Sequence, residues 1–463
     1  MENAIGKEQM ADMDPGVAES EFSSKSISKL FWKYSVFALA GLGFQAASVV
    51  ADGIFVGTGL GEMGLAAISI IVPFWLLSVG FFGLFGVGAS TLSAIKLGNG
   101  DVKGARDVYG KVIVFAFYIS VALCIVLYLA LDGVLKGLGA TPEILPYARA
   151  YAVPYLIGLP FCVIGTVGYY YTRLAEKPLA ASIGYIAPAI IAIITEYLFI
   201  FKFDMGMAGS AIPWVLCVGL SVFLIPYLQA KTVFKIKASD FIPDIKLTIE
   251  SSKIGFAMFI IQVATMVSTA MINNLITKNG GTGLDIASFG LLNAYIGYIF
   301  MLFTTAFMMG LQPIASYNMG AKLYGRVATL IKVGVTQSTA LIIAVLALTF
   351  VFAEPIITFF VGPVPELVGN IKAIMKIWLA LYALGNVSQL VAGFYMAIER
   401  NGFAILNGIA RIFLFAIPLL MILPGIFGLK GVWMAQPGAD ILAFALAMVC
   451  IYGEHKKLKQ MSI

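Results

Sequence analysis

The passage GLAAISIIVPFWLLSVGFFGLFGVGASTLSAIKLGNGDVKGAR (residues 64–106) has a counterpart later in the chain, LDIASFGLLNAYIGYIFMLFTTAFMMGLQPIASYNMGAKLYGR (residues 284–326). Each reads as a short Gly-rich stretch, a long apolar run and a basic turn with glycine. The offset is about 221 positions, and YYYTRLAEKP (169–178) matches GFYMAIERNG (393–402) at nearly the same distance. The chain is therefore an internal repeat covering most of both halves. An inert scaffold can also arise by duplication, but two bundles that rock about one cleft are a transporter design.

Outward from these passages, apolar runs of about 20 residues or more recur along the chain, each enough to cross roughly 30 Å of hydrocarbon as a helix. About twelve are expected, starting near Leu30, Leu65, Tyr109, Tyr147, Leu179, Ala208, Ile254, Ile286, Thr329, Ile371, Phe403 and Val432. With 60% hydrophobic residues, 12% charged and a mean hydropathy of +0.95, the composition is that of an integral membrane protein. The runs are apolar on all sides, which excludes the alternating strands of a β-barrel. The fold class is all-α, with twelve transmembrane helices in two pseudo-symmetric six-helix bundles. Each half holds an even number of spans, so the repeat is parallel, with its axis along the membrane normal and a central cleft. The expected layout is a disordered tail over 1–29, a lobe over 30–230, a linker over 231–253, a second lobe over 254–454 and a basic tail over 455–463.

The net charge of +6 sorts by loop. Lys96, Lys103, Arg106 and Lys111 follow the second run, five lysines from Lys231 to Lys253 fill the central connection, and Lys322, Arg326 and Lys332 follow the eighth. The alternate loops hold few basic residues. By the positive-inside rule both termini are cytoplasmic, and the charge has no nucleic acid to serve. Cys124, Cys162, Cys217 and Cys450 stand singly in apolar runs, which implies neither disulfides nor a metal cluster. His455 is the only histidine. No P-loop, zinc motif or spaced aspartates that hold magnesium occur, so no enzyme, cofactor or direct ATP drive is expected.

Ionisable groups inside spans cost about 2.5–3.5 kcal/mol on insertion scales, and each is a functional candidate. Asp52 lies about 33 Å along a helix that starts at Leu30, and Glu196 about 26 Å along one that starts at Leu179, which places both at similar depth. Gln45, Ser48 and Asp52 share one helical face. Two carboxyls at one depth could take a proton from outside and release it inside. The structural alternative makes Asp52 a residue just past a helix end, and its repeat equivalent Asn273 suits that role. Arg411 and Asp440 each lie about 12 Å into antiparallel neighbours, the geometry of a structural ion pair. Gln262, Thr265 and Thr269 make a polar stripe on the seventh span, and Pro73, Pro154, Pro160, Pro188, Pro313 and Pro418 are hinge candidates.

ADGIFVG (51–57), AIKLGNGDVKGA (94–105), GLQPIASYNMGAKLYGRV (310–327), LNGIARIFLFAIPLLMILP (406–424) and GVWMAQPGADILAF (431–444) resemble the multidrug and toxic compound extrusion (MATE) family, in its MepA-like bacterial branch. The resemblance spans the chain beyond its N-terminal tail. It implies two six-helix lobes in a V shape and export of organic, often cationic, compounds in exchange for H+ or Na+. It matches the family's first-helix aspartate to Asp52 and a fifth-helix acid to Glu196. Ala192 stands where relatives with a Na+ site carry asparagine, and Trp214 where they carry threonine, which removes oxygen ligands. Gln262 and Asn386 stand where another branch has acids, and Phe37 where a proline is common.

The expected function is H+-coupled antiport of amphipathic, cationic molecules, with Asp52 and Glu196 as coupling residues and Gln45, Ser48, Gln262, Thr265, Asn273 and Asn386 as polar cavity candidates. Small organic molecules, H+ or Na+ and membrane lipids are the expected partners of a monomer. A lipid or lipid-linked precursor flippase is the first rival, though it calls for a cationic cavity and the basic residues lie at span ends. The second is a non-transporting scaffold, for which buried carboxylates would be dispensable.

Overall fold

The computed structural model describes residues 20–362 and 364–462, and among them there is no strand. Eleven helices are long and apolar enough to cross a membrane. In the first half these are Ile27–Gly59, Phe74–Gly98, Val102–Leu129, Leu145–Leu174, Pro178–Lys202 and Ala208–Lys231. The second half contributes Ile245–Lys278, Gly283–Gly320, Tyr324–Val351, Asn401–Phe427 and Leu429–Gln460. The remaining span, tenth in order, is a bent pair, Pro365–Trp378 and Tyr382–Ala397, that meets at 57°. The protein is thus an all-α, multi-pass membrane protein of twelve spans.

The repeat is written into the backbone turns. The second span ends with Gly100 at φ +81°, where the Asp101 N–H reaches the Lys96 carbonyl at 2.8 Å; the eighth ends with Lys322 at φ +58°, where the Leu323 N–H reaches the Asn318 carbonyl at 2.9 Å. The fourth and tenth spans close the same way, at Glu176 (φ +62°) and Glu399 (φ +58°). All four are the left-handed helix termination in which a six-residue hydrogen bond satisfies the last carbonyls. Gly100 takes this conformation at no steric cost, whereas Lys322, Glu176 and Glu399 bear a strain that the closing hydrogen bonds offset.

Two compact units emerge, Val36–Phe259 with residues 20–24, and Ile260–Ile463 with Lys25–Ser35. Each therefore contains the opening turns of the helix that begins the other half. In the first unit, Gly88 admits the seventh span: a Cβ there would lie 2.2 Å from the Ser251 carbonyl oxygen. In the second, Gly310 admits the first span, and a Cβ would lie 2.0 Å from Ser35 Oγ. The two glycines occupy equivalent places in the repeat and do the same thing, letting backbone approach backbone.

Of the expected tail, residues 1–19 lie outside the described residues. From residue 20 the chain is structured rather than disordered: Glu21–Ser24 is helical and the first span starts at Ile27. The reason is burial of Phe22, 1% exposed, together with Glu176 Oε1, which accepts the Glu21 N–H at 3.1 Å. The seventh span likewise starts at Ile245, inside the stretch expected to be linker.

Candidate functional site

Asp52 is inside its helix, which runs on to Gly59, so it does not stand past a helix end. The fifth span brings Glu196, 2% exposed, against it, and the two carboxyl side chains are in hydrogen-bonding contact. Such a contact is attractive only when a proton lies between the groups, because two carboxylates repel. The sixth span adds Ser210, fully buried, whose hydroxyl donates to Asp52 Oδ1. Tyr151 of the fourth span lies within electrostatic range of both acids. One turn before Asp52, Ser48 meets the Cys217 thiol. Four helices thus converge on the pair.

Around it lies an apolar wall in which Val56, Phe74, Tyr155, Ile200 and Ala211 are buried, with Ala189, Ala192 and Cys217 packed beside it. Among the described residues no ion pair reaches Asp52 or Glu196, and Glu196 Oε1 is buried without a donor. Ser210 and Tyr151 were not singled out from sequence. Ser210 stands in the small-residue run AGSAIP, where one hydroxyl has no periodicity to mark it, and Tyr151 is one of several aromatics on its helix. Gln45, though on the Asp52 face, is only half-buried and is not drawn into the cluster.

The second half buries charge differently. Arg411 Nε donates to Asp440 Oδ1 at 2.6 Å, and Gln436, one turn earlier on the same helix, donates to that oxygen at 3.0 Å. The guanidinium sits 5.4 Å from the centroid of the Tyr382 ring, a cation–π contact. Gly385 makes room: a Cβ there would lie 2.4 Å from Asp440 Oδ1 and 2.9 Å from Arg411 Nη2. Arg411 lies in a π-helical segment, Ala410–Ala416, which ends just before Pro418. Proline has no N–H for the carbonyl four residues back, and a wider turn re-routes the ladder there.

The other polar candidates are not gathered into this cluster as one site. Thr265 donates to its own helix, to the Ile261 carbonyl at 2.9 Å, and Thr269 does the same to Thr265 at 3.0 Å. Gln262 is half-buried and Asn273 exposed, so Asn273 does not reproduce the setting of Asp52. Asn386, 1% exposed, reaches Ser338 Oγ at 3.4 Å and leaves its Oδ1 without a donor. Among the described residues no group of three or more His, Cys, Asp or Glu side chains could hold a metal ion.

Known proteins share this plan. A multidrug export protein, MepA of Staphylococcus saprophyticus, is 23% identical over 441 residues, which cover 93% of this chain and 95% of the relative. MepA of Staphylococcus aureus is 26% identical over 398 residues, covering 84% and 85%. Among solved structures, a MATE protein in complex with MaL6 superposes with a TM-score of 0.89 at 20% identity, over 97% of this chain and 100% of that one. The MATE transporter VcmN of Vibrio cholerae gives 0.86 at 19% identity, over 92% and 96%. These structural likenesses show the fold. The MatE family model matches residues 32–198 and matches again over residues 254–422, once in each copy of the repeat. With both halves matched over more than half its length, this chain belongs to the MatE family.

Proposed function

We propose that this chain is a secondary active antiporter of a bacterial cytoplasmic membrane that exports amphipathic, cationic organic molecules in exchange for H+, with Asp52 and Glu196 as the proton-carrying groups. The observation that carries the reading is two carboxyl side chains in contact, in an apolar setting, with no basic partner among the described residues. A proton held there neutralises a pair whose full ionisation would be costly, so its gain or loss changes which arrangement of the surrounding four helices is favoured. Protons re-entering the cell supply the drive, about 2.3 kcal/mol for each charge crossing 100 mV. Ser210 supports H+ over Na+, since it supplies one hydroxyl oxygen and Ala192 and Trp214 add none, leaving a Na+ few ligands. The export of multiple drugs by the MepA relatives supports the substrate class. The loop charges support cytoplasmic termini, and one chain supplies both halves of the repeat, which suits a monomer.

The test is transport of a fluorescent organic cation by purified protein in proteoliposomes, with pH and Na+ gradients imposed separately. A pH gradient alone is expected to drive efflux, and Asp52→Asn to lower it at least about tenfold while the protein stays folded. Efflux that follows Na+ alone, or that survives the substitution, overturns the assignment.

A further inference from the structure

The seventh span, Ile245–Lys278, has 34 residues, about 51 Å of helix for a hydrocarbon core of about 30 Å. Its opening turns therefore stand among headgroups, next to the connection that follows Lys231. That connection is not a loose tether. Phe234, 1% exposed, packs against Tyr109 and Tyr171, ring centroids 5.7 and 4.8 Å away. Arg106 Nη2 lies 3.2 Å from Oδ1 of the buried Asp240. Gln229 accepts the Ile236 N–H at 2.8 Å and donates back to the Ile236 carbonyl at 3.1 Å. Asp244 accepts the Leu247 N–H at 3.0 Å and pairs with Lys111 at 3.5 Å. That amide, and after it Lys111, hold the Asp244 carboxyl below the usual carboxylate range, so it stays ionised and neutralises Lys111.

The anchors decide which side chains face outward. Phe241, Ile242, Ile245 and Ile249 are 57%, 72%, 64% and 51% exposed. Helical spacing puts Ile245 and Ile249 on one face, while Ser251 and Gly255 on the other pack against Gly88 and Leu84. Lys246 and Lys253 border the apolar face, and Lys231, Lys235 and Lys237 are exposed along the connection. None of these five lysines is in an ion pair among the described residues. Asp240 and Asp244 are already paired, which leaves Glu250 as the exposed acid.

We infer that this connection is a membrane-surface anchor that binds anionic phospholipid headgroups through its lysines while Phe241, Ile242, Ile245 and Ile249 enter the acyl boundary. An acidic protein would answer the lysines and leave the isoleucines in water; a lipid surface answers both. The inference is independent of the transport reading, and only the choice of leaflet follows the orientation proposed above.

The experiment uses the full chain in phosphatidylcholine vesicles doped with a photoreactive phosphatidylglycerol or a photoreactive phosphatidylcholine, adducts being mapped by peptide mass spectrometry. The anionic probe is expected to label residues 231–253 about fivefold or more over the neutral one, the factor a single lysine near an anionic surface supplies. Lys235→Gln with Lys237→Gln and Lys246→Gln should bring it down to the neutral level, and free glycerol phosphate should not compete. Equal labelling of the unaltered chain by both probes overturns the inference without any variant having to fold. So does anionic labelling that survives the triple substitution, or that free glycerol phosphate removes.

Discussion

The two halves share turns, glycine contacts and span order, yet the carboxyls deep within their spans are held by opposite means. The first half holds two carboxyls, Asp52 and Glu196, with Ser210 as donor and no ion pair to either among the described residues. The second holds Asp440 with Arg411 at 2.6 Å and a glutamine beside it. A carboxylate matched by a guanidinium needs no proton to stay buried, and removing either partner leaves an uncompensated charge. A carboxyl pair without a cation depends on a mobile proton instead. On the function proposed above, the same repeated framework carries a fixed clamp in one copy and an exchangeable charge in the other.

Unfolding of the purified protein in one detergent should separate the two. The largest loss is expected for Arg411→Met, about 3–5 kcal/mol, because Asp440 stays buried and unpaired. Adding Asp440→Leu should restore most of it; equal losses in the single and double variants would mean that the pair is not a clamp. Gly385→Ala comes next, at about 1–3 kcal/mol, since its methyl would overlap Asp440 Oδ1 and Arg411 Nη2. Ser210→Ala should cost about 1 kcal/mol for the lost hydrogen bond. That cost should vanish when Asp52→Ala is already present, and additivity in this cycle would show that the hydroxyl serves something else.

Glu196→Gln should move stability least, by under about 1 kcal/mol, since an amide keeps the shape and can donate to Asp52 as a protonated carboxyl does. The same substitution should nevertheless lower efflux driven by a pH gradient at least about tenfold. A stability loss as large as that of Arg411→Met would make Glu196 a structural residue and erase the contrast between the halves.

Much of this was legible in the chain itself. Twelve apolar runs, the repeated passages at 64–106 and 284–326, and the loop charges follow from hydropathy and spacing, which are local properties of consecutive residues. Depth was legible too, because helix rise is fixed: it put Asp52 level with Glu196 and Arg411 near Asp440. Rotation and neighbours were not. The Thr265 and Thr269 stripe has the same spacing as a site, yet its hydroxyls close on their own helix, and Asn273, equivalent to Asp52 in the repeat, is exposed.

Sequence alone thus determined how many times the chain crosses the membrane, that its halves are copies, and how deep each charge lies. Only the tertiary structure decided that Asp52 touches Glu196, that Ser210 donates to Asp52 with Tyr151 within electrostatic range, and that Gly385 opens the space for Arg411 and Asp440. The reason is that hydropathy and rise act along one helix, whereas the face a helix turns to its neighbours is set by side-chain packing between segments far apart in sequence.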